Sequence, residues 1–101
     1  MDEKQFITFF KAFGDSSRLR ILRLLSKKEM TVNEIAKAGK MSQPTVSRHL
    51  GILRAAGVVA GRREGQHIYY ALEKKAVECC CFDFCCTLMI PNGLPAPGKK
   101  K

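Results

Sequence analysis

Phe6, Phe9, Phe10 and Phe13 recur at i, i+3, i+4 and i+7. That is the spacing of one helix face, and it predicts a helix over residues 4–13 that stops at Gly14. Asp15 is placed to cap a second helix carrying Leu19, Ile21, Leu22, Leu24 and Leu25. This helix is expected to end on Lys27 and Lys28, cations that suit a helix C-terminus. Four phenylalanines on one stripe are more than one neighbouring helix covers in a small domain. Two readings stand for them: an ordinary core stripe, or a stripe shared with a partner chain.

The next stretch has the polar and apolar spacing of two helices in close succession. Thr31-Val32-Asn33-Glu34 reads as a capping box, in which hydroxyl and carboxylate each satisfy the other's backbone N–H. It opens a short helix through Ile35, Ala36 and Ala38, closed by Gly39. Only Gly39, Lys40 and Met41 separate it from the next start at Ser42 or Gln43, and Pro44 is tolerated in that first turn. The second helix is expected to bury Val46, Leu50, Ile52 and Leu53. It ends at Ala55-Ala56-Gly57, where glycine supplies a left-handed cap. Two helices joined by so tight a turn make a helix-turn-helix. Beyond it, residues 58–63 and 66–72 are β-rich runs about a turn at Glu64-Gly65 and predict a hairpin. Arg62, Arg63, Gly65 and Gln66 fall at its tip. The expected fold is therefore mainly α with a β-hairpin wing, a winged helix-turn-helix. Residues 73–90 return to helical character, and 91–101, rich in Pro and Gly and ending in three lysines, read as a flexible basic tail.

Composition narrows the class. One hundred and one residues suffice for one domain with a modest core, here taken as 1–90 followed by the tail. With 46% hydrophobic and 27% charged residues, the chain reads as globular rather than disordered. No apolar run approaches the roughly 18–20 residues that span a bilayer. Met1–Gln5 is polar and leads into no apolar signal segment, so a soluble cytoplasmic protein is expected, with no membrane partner. Eighteen Lys and Arg against nine Asp and Glu give a net charge of +9, which favours a polyanionic partner.

The distribution of that charge matters more than its sum. Between Glu34 and Glu64 there is no acidic residue, while Lys37, Lys40, Arg48, Arg54, Arg62 and Arg63 all lie there. The cations thus cover the candidate reading helix and the wing, the elements that would meet a DNA backbone. The N-terminal half of the reading helix presents Ser42, Gln43, Thr45, Ser47, Arg48 and His49. Glutamine suits adenine, arginine suits guanine or phosphate, and hydroxyls at a helix N-terminus suit phosphate oxygens. His49 has two open readings, DNA contact or packing. Arg62, Arg63 and Gln66 are the wing's candidates for backbone or minor groove.

All five cysteines fall between positions 79 and 86, as Cys79, Cys80, Cys81, Cys85 and Cys86. A disulfide framework spreads its cysteines to close loops, whereas a cluster with an odd count points to thiol chemistry, most often soft-metal binding. Cysteine as a small buried hydrophobe accounts for one or two of these positions, not for five.

These residues resemble the ArsR/SmtB family of bacterial metal-responsive winged-helix repressors over about residues 5–75. Residues 10–22 (FKAFGDSSRLRIL) are similar to the family's second-helix signature, and residues 42–50 (SQPTVSRHL) to its recognition helix. Gly57-Val58-Val59 together with residues 65–70 (GQHIYY) resembles its wing. The resemblance implies a homodimer formed through the first and last helices. It also implies binding to an imperfect inverted repeat in operator DNA and release on metal binding. The family's Cys-x-Cys arsenic site would fall at Val32–Ala36, which carries no cysteine. A zinc-type site needs Asp and His along the last helix, yet His49 and His67 lie elsewhere. An all-thiolate C-terminal site remains, as in some arsenic-responsive members.

Three thiolates in a pyramid suit arsenite or antimonite, and thiolate-rich sites also accept Cd(II), Pb(II) or Hg(II). At about 100° per residue, Cys81 and Cys85 share one helix face and Cys79 and Cys86 another. Seven residues of helix rise about 10 Å, too far for Cys79 and Cys86 to bind one ion. A site made of Cys79, Cys80 and Cys86 requires the helix to end or break there, and Phe82 and Phe84, packing on the domain, would help set the break. All five cysteines stand as candidates. One rival keeps the DNA-binding domain but senses thiol oxidation or reactive sulfur. Another makes the chain a thiol-rich metal-handling protein or thiol enzyme. No CxxC motif, no Cys–His pair in that segment and no phosphate-binding glycine loop support the enzyme, so neither catalytic residues nor a catalytic cofactor are expected.

Overall fold

The computed structural model describes residues 2–89. The expected tail, 91–101, lies outside them. In chain order the described elements are α1 (Glu3–Phe13), α2 (Ser16–Leu25), β1 (Met30–Thr31), α3 (Val32–Gly39), α4 (Gln43–Ala55), β2 (Val59–Glu64), β3 (His67–Leu72) and α5 (Lys74–Met89). The strands form one antiparallel sheet in the order β1-β3-β2. This is a winged helix-turn-helix, mainly helical. None of the described helices is long and apolar enough to cross a membrane.

Local chemistry sets most boundaries. Asp2, Asp15, Thr31 and Ser42 cap α1 to α4, each accepting a hydrogen bond from the backbone N–H three residues on. The capping box at Thr31 is complete: Glu34 N–H donates to Thr31 Oγ1 at 3.2 Å and Thr31 N–H donates to Glu34 Oε1 at 3.0 Å. Packing does the rest. Helix α4 holds Thr45, Val46, His49 and Gly51, residues that do not favour helix on their own. It stands because Val46, Leu50 and Leu53 are fully buried with Ile21, Ile35 and Val58.

Several expectations need correction. Helix α2 ends at Leu25, where Ser26 N–H closes onto Leu22 O at 2.9 Å, so Lys27 and Lys28 lie beyond it. Helix α3 does close at Gly39, and it is Lys40 after it that takes the left-handed conformation, φ 57°. A Cβ at Gly39 would sit 2.7 Å from Met41 Cε, the movable end of a flexible side chain. Ile52 is not core but 40% exposed. The hairpin turn is Gly65-Gln66, one residue later than expected, with Glu64 paired to His67 and Gly65 at φ 66°. A glycine at the first place of a two-residue turn matches strand twist. Strand β1 was not foreseen; two residues are too short for a periodic signal, and only its partner, Tyr69-Tyr70 of β3, defines it.

The phenylalanine stripe is covered partly by the chain's own last helix. Phe84 of α5 lies 4.5 Å from Phe10 and 5.7 Å from Phe6, ring centre to ring centre, while Phe9 is buried. Phe82, expected to pack with it, is instead 37% exposed. Helix α5 runs unbroken through the cysteines.

Candidate nucleic-acid interface and thiol cluster

Burial of Val46, His49, Leu50 and Leu53 fixes the rotation of α4, and with it the residues that look outward: Gln43, Ser47, Arg48, Gly51 and Arg54. The N-terminal end is well ordered by its own side chains. Ser42 Oγ accepts from Thr45 N–H at 3.3 Å and donates to Thr45 Oγ1 at 2.8 Å. Gln43 Nε2 donates to Asn33 Oδ1 at 2.8 Å, which ties the start of α4 to the start of α3. An open groove of about 460 Å³ separates that corner from the wing, with Asn33, Glu34 and Gln43 on one side and Gln66 and Ile68 on the other. Ser47 and Arg48 are exposed.

His49 belongs to the interior, at 7% exposure, so of its two readings packing is the one the fold adopts. Arg18 Nη1 lies 3.3 Å from His49 Nδ1. Arginine only donates, so Nδ1 accepts and the ring's proton sits on Nε2. The same guanidinium donates to Ala12 O at 2.9 Å and Lys11 O at 3.2 Å, capping the end of α1. Arg18 thus joins α1, α2 and α4. Burial pushes the His49 pKa below its ordinary value; Asp15 opposes that shift, and Arg18 and Arg48 add to it.

The two wing arginines have different surroundings. Arg62 donates to Glu64 Oε1 at 2.8 Å and to Glu29 Oε1, and its guanidinium carbon lies 5.3 Å from the centre of the Tyr69 ring. Arg63 and Gln66 are exposed. Glu29, Asn33 and Arg18, which hold Arg62, Gln43 and His49, carry no sequence signal: the partners of Arg62 and His49 are 33 and 31 positions away.

The five thiols are free and distributed round α5: Cys79, Cys81 and Cys85 exposed, Cys86 half-buried and Cys80 fully buried. Among the described residues no group of three or more His, Cys, Asp or Glu side chains is arranged to hold a metal ion. Cys81 and Cys85 stand one turn apart, both exposed. Burial, followed by the neighbouring Cys81 and Asp83, pushes the Cys80 thiol above its ordinary pKa.

Residues 15–60 match the model of the bacterial regulatory proteins of the arsR family. The transcriptional repressor SdpR of Bacillus subtilis is 42% identical over 69 residues, 68% of this chain and 77% of that one. The arsenical resistance operon repressor of Escherichia coli is 40% identical over 67 residues, 65% of this chain but only 57% of that one. A similar solved structure is the homodimeric winged helix-turn-helix DNA-binding domain of a possible ArsR-family regulator from Mycobacterium bovis. It has a TM-score of 0.71 and 33% identity, covering 80% of this chain and 76% of that one.

Proposed function

This chain belongs to the ArsR family of bacterial regulatory proteins, and from that membership we propose that it is a homodimeric transcriptional repressor released from operator DNA by a thiophilic inducer. The observation that carries the reading is the outward face of α4. Its ordered polar start, with Ser42, Gln43, Thr45, Ser47 and Arg48, shares with Arg63 of the wing a stretch of chain without acids, and Gln66 follows at the wing's turn. A helix N-terminus of this kind enters the major groove while a dimer sets the spacing of two half-sites in an inverted repeat.

The inducer acts through the cysteines of α5. Arsenite or antimonite, with Cd(II), Pb(II) and Hg(II) as alternatives, suits thiolate ligands. The intact helix offers Cys81 and Cys85 together. A third thiolate from Cys79, Cys80 or Cys86 is reached only by local opening of the helix, because Cys80 faces the core and Cys79 and Cys86 lie on another face. Binding three thiols therefore reshapes α5. That helix rests on α1 through Phe84, so a change there is passed to the dimer-forming helices and from them to the spacing of the reading helices. An inducer that binds the free dimer about 100-fold more tightly than the DNA-bound form opposes DNA binding by about 2.7 kcal/mol.

Fluorescence anisotropy of the reduced protein on duplex from its own upstream region tests this. Tight, salt-sensitive binding is expected, reversed by arsenite or Cd(II), lost in large part in Arg48→Ala, and no longer reversible when all five cysteines are serine. Continued release of the cysteine-free variant by arsenite eliminates the thiol site, and undiminished binding by Arg48→Ala removes Arg48 from the interface.

A further inference from the structure

Arg62 and Arg63 are adjacent cations in β2, and by composition they are interchangeable. The sheet separates them. Successive residues of a strand point to opposite faces. Gly61 stands opposite Tyr70 and Arg63 opposite Ile68, and a Cβ on Gly61 would lie 3.2 Å from Ile68 Cγ2 and 3.3 Å from Tyr70 Cε1. Gly61, Arg63, Ile68 and Tyr70 therefore share one face. Tyr70 is buried in the core that also holds Val46, Leu50 and Leu53 of α4. Arg63, exposed, is on the side of the sheet that faces this core, and its cross-strand partner Ile68 lines the groove between wing and reading helix.

Arg62 is on the other side. It stands opposite Tyr69, and its guanidinium reaches over that ring to Glu29, just before β1, while also holding Glu64 on its own strand. One side chain thus spans β2, β3 and the start of β1. Single exposed ion pairs are weak. Here the same planar group meets two carboxylates and an aromatic face, which fixes its direction. To reach a phosphate, Arg62 would exchange two carboxylate partners for one and leave both acids beside the DNA. Among the described residues Arg63 has no such partners to give up.

Resting on the DNA-binding reading above, we infer that Arg62 is a positioning residue that clasps the wing to Glu29, and that Arg63 alone of the pair carries the wing's phosphate contact. The Glu29 carboxylate then favours DNA binding in spite of its charge, because it sets the wing that presents Arg63.

The test compares Arg62→Gln, Arg63→Gln, Glu29→Gln and the Arg62→Gln/Glu29→Gln double variant of the full chain. Anisotropy on the same duplex is followed between about 50 and 200 mM salt. Arg63→Gln is expected to weaken binding about tenfold and to lower the slope of log K against log salt by about 0.9, the signature of one lost phosphate contact. Arg62→Gln and Glu29→Gln each weaken binding a few-fold with the slope unchanged, and the double variant is no weaker than either, since both remove one clasp. Without DNA, amide hydrogen exchange in β2 and β3 rises in Arg62→Gln and Glu29→Gln and stays at the parent rate in Arg63→Gln. Tighter binding by Glu29→Gln, a flattened slope in Arg62→Gln, or unaltered exchange in both clasp variants overturns the inference while leaving the DNA-binding reading intact. Absence of salt-dependent duplex binding by the unaltered protein removes that reading, and the phosphate role of Arg63 with it.

Discussion

At the scale of single residues, partners far away in sequence decide which polar side chains turn inward and which stay at the candidate site. His49 is the clearest case. In the sequence it stands beside Arg48 in the reading helix, and nothing there says which of the two faces inward. The fold buries it against Arg18, neutral and accepting at Nδ1. Its folded pKa lies below the ordinary 6.5, so between those two values the unfolded chain binds the proton and the folded one does not. The contribution is present above about pH 6.5 and is lost as pH falls through that window. Asp15, Arg18 and Arg48 are the charges that act on the ring, and their sum does not reverse the shift. Thermal melts from about pH 7 down to pH 5.5 are expected to show a steeper loss of Tm in the unaltered protein than in His49→Gln. Parallel profiles would mean that His49 holds its proton equally in both states.

At the scale of elements, α5 is where periodicity and chemistry give different messages. The cysteine cluster invites a broken helix that gathers thiols, yet the helix is continuous and spends Cys80 on the core. Phe84 pins it to α1, so the segment keeps helical spacing while the thiols face several ways. This arrangement orders their reactivity. Alkylation by iodoacetamide at about pH 8 should modify Cys79, Cys81 and Cys85 well before Cys80, whose thiol is buried and harder to ionise, and in denaturant the difference should vanish. Tandem mass spectrometry locates the label; early labelling of Cys80 would show that α5 opens without an inducer. The capping box at Thr31 and the hairpin, by contrast, are set within a few residues and were legible, apart from the one-residue offset of the turn; the second box, Asp2 with Gln5, is found only in the structure.

At the scale of the molecule, apolar surface remains where α1 and α5 lie together. Ile7 of α1 is 51% exposed, and Phe82 and Leu88 of α5 are 37% and 63% exposed. Within one copy Phe9 is buried and Phe6, Phe10 and Phe13 are half-buried, and the homodimer proposed above is expected to cover the apolar surface that remains. Ile7→Asp together with Phe82→Asp is expected to yield a folded monomer by sedimentation, with unchanged far-ultraviolet circular dichroism and operator affinity reduced by at least about tenfold, because two half-sites are no longer bound as one. A dimer that survives both changes would place its interface elsewhere.

The sequence alone determined the order of the helices and the hairpin, the caps at Asp15, Thr31 and Ser42, the helix-turn-helix spacing and the basic, acid-free stretch from Ile35 to Arg63. These follow from interactions between residues three or four apart, or from charge, which needs no fold to be counted. The tertiary structure decided that His49 turns inward and Ile52 outward, that Arg62 and Arg63 part company, that two residues before α3 form a strand, and that α5 stays whole. Each of those depends on a partner brought close from far along the chain: Arg18 for His49, Glu29 for Arg62, Tyr70 for Met30, and Phe10 for Phe84. Local spacing names the side chains available for a site; packing across distant segments selects the ones that face it.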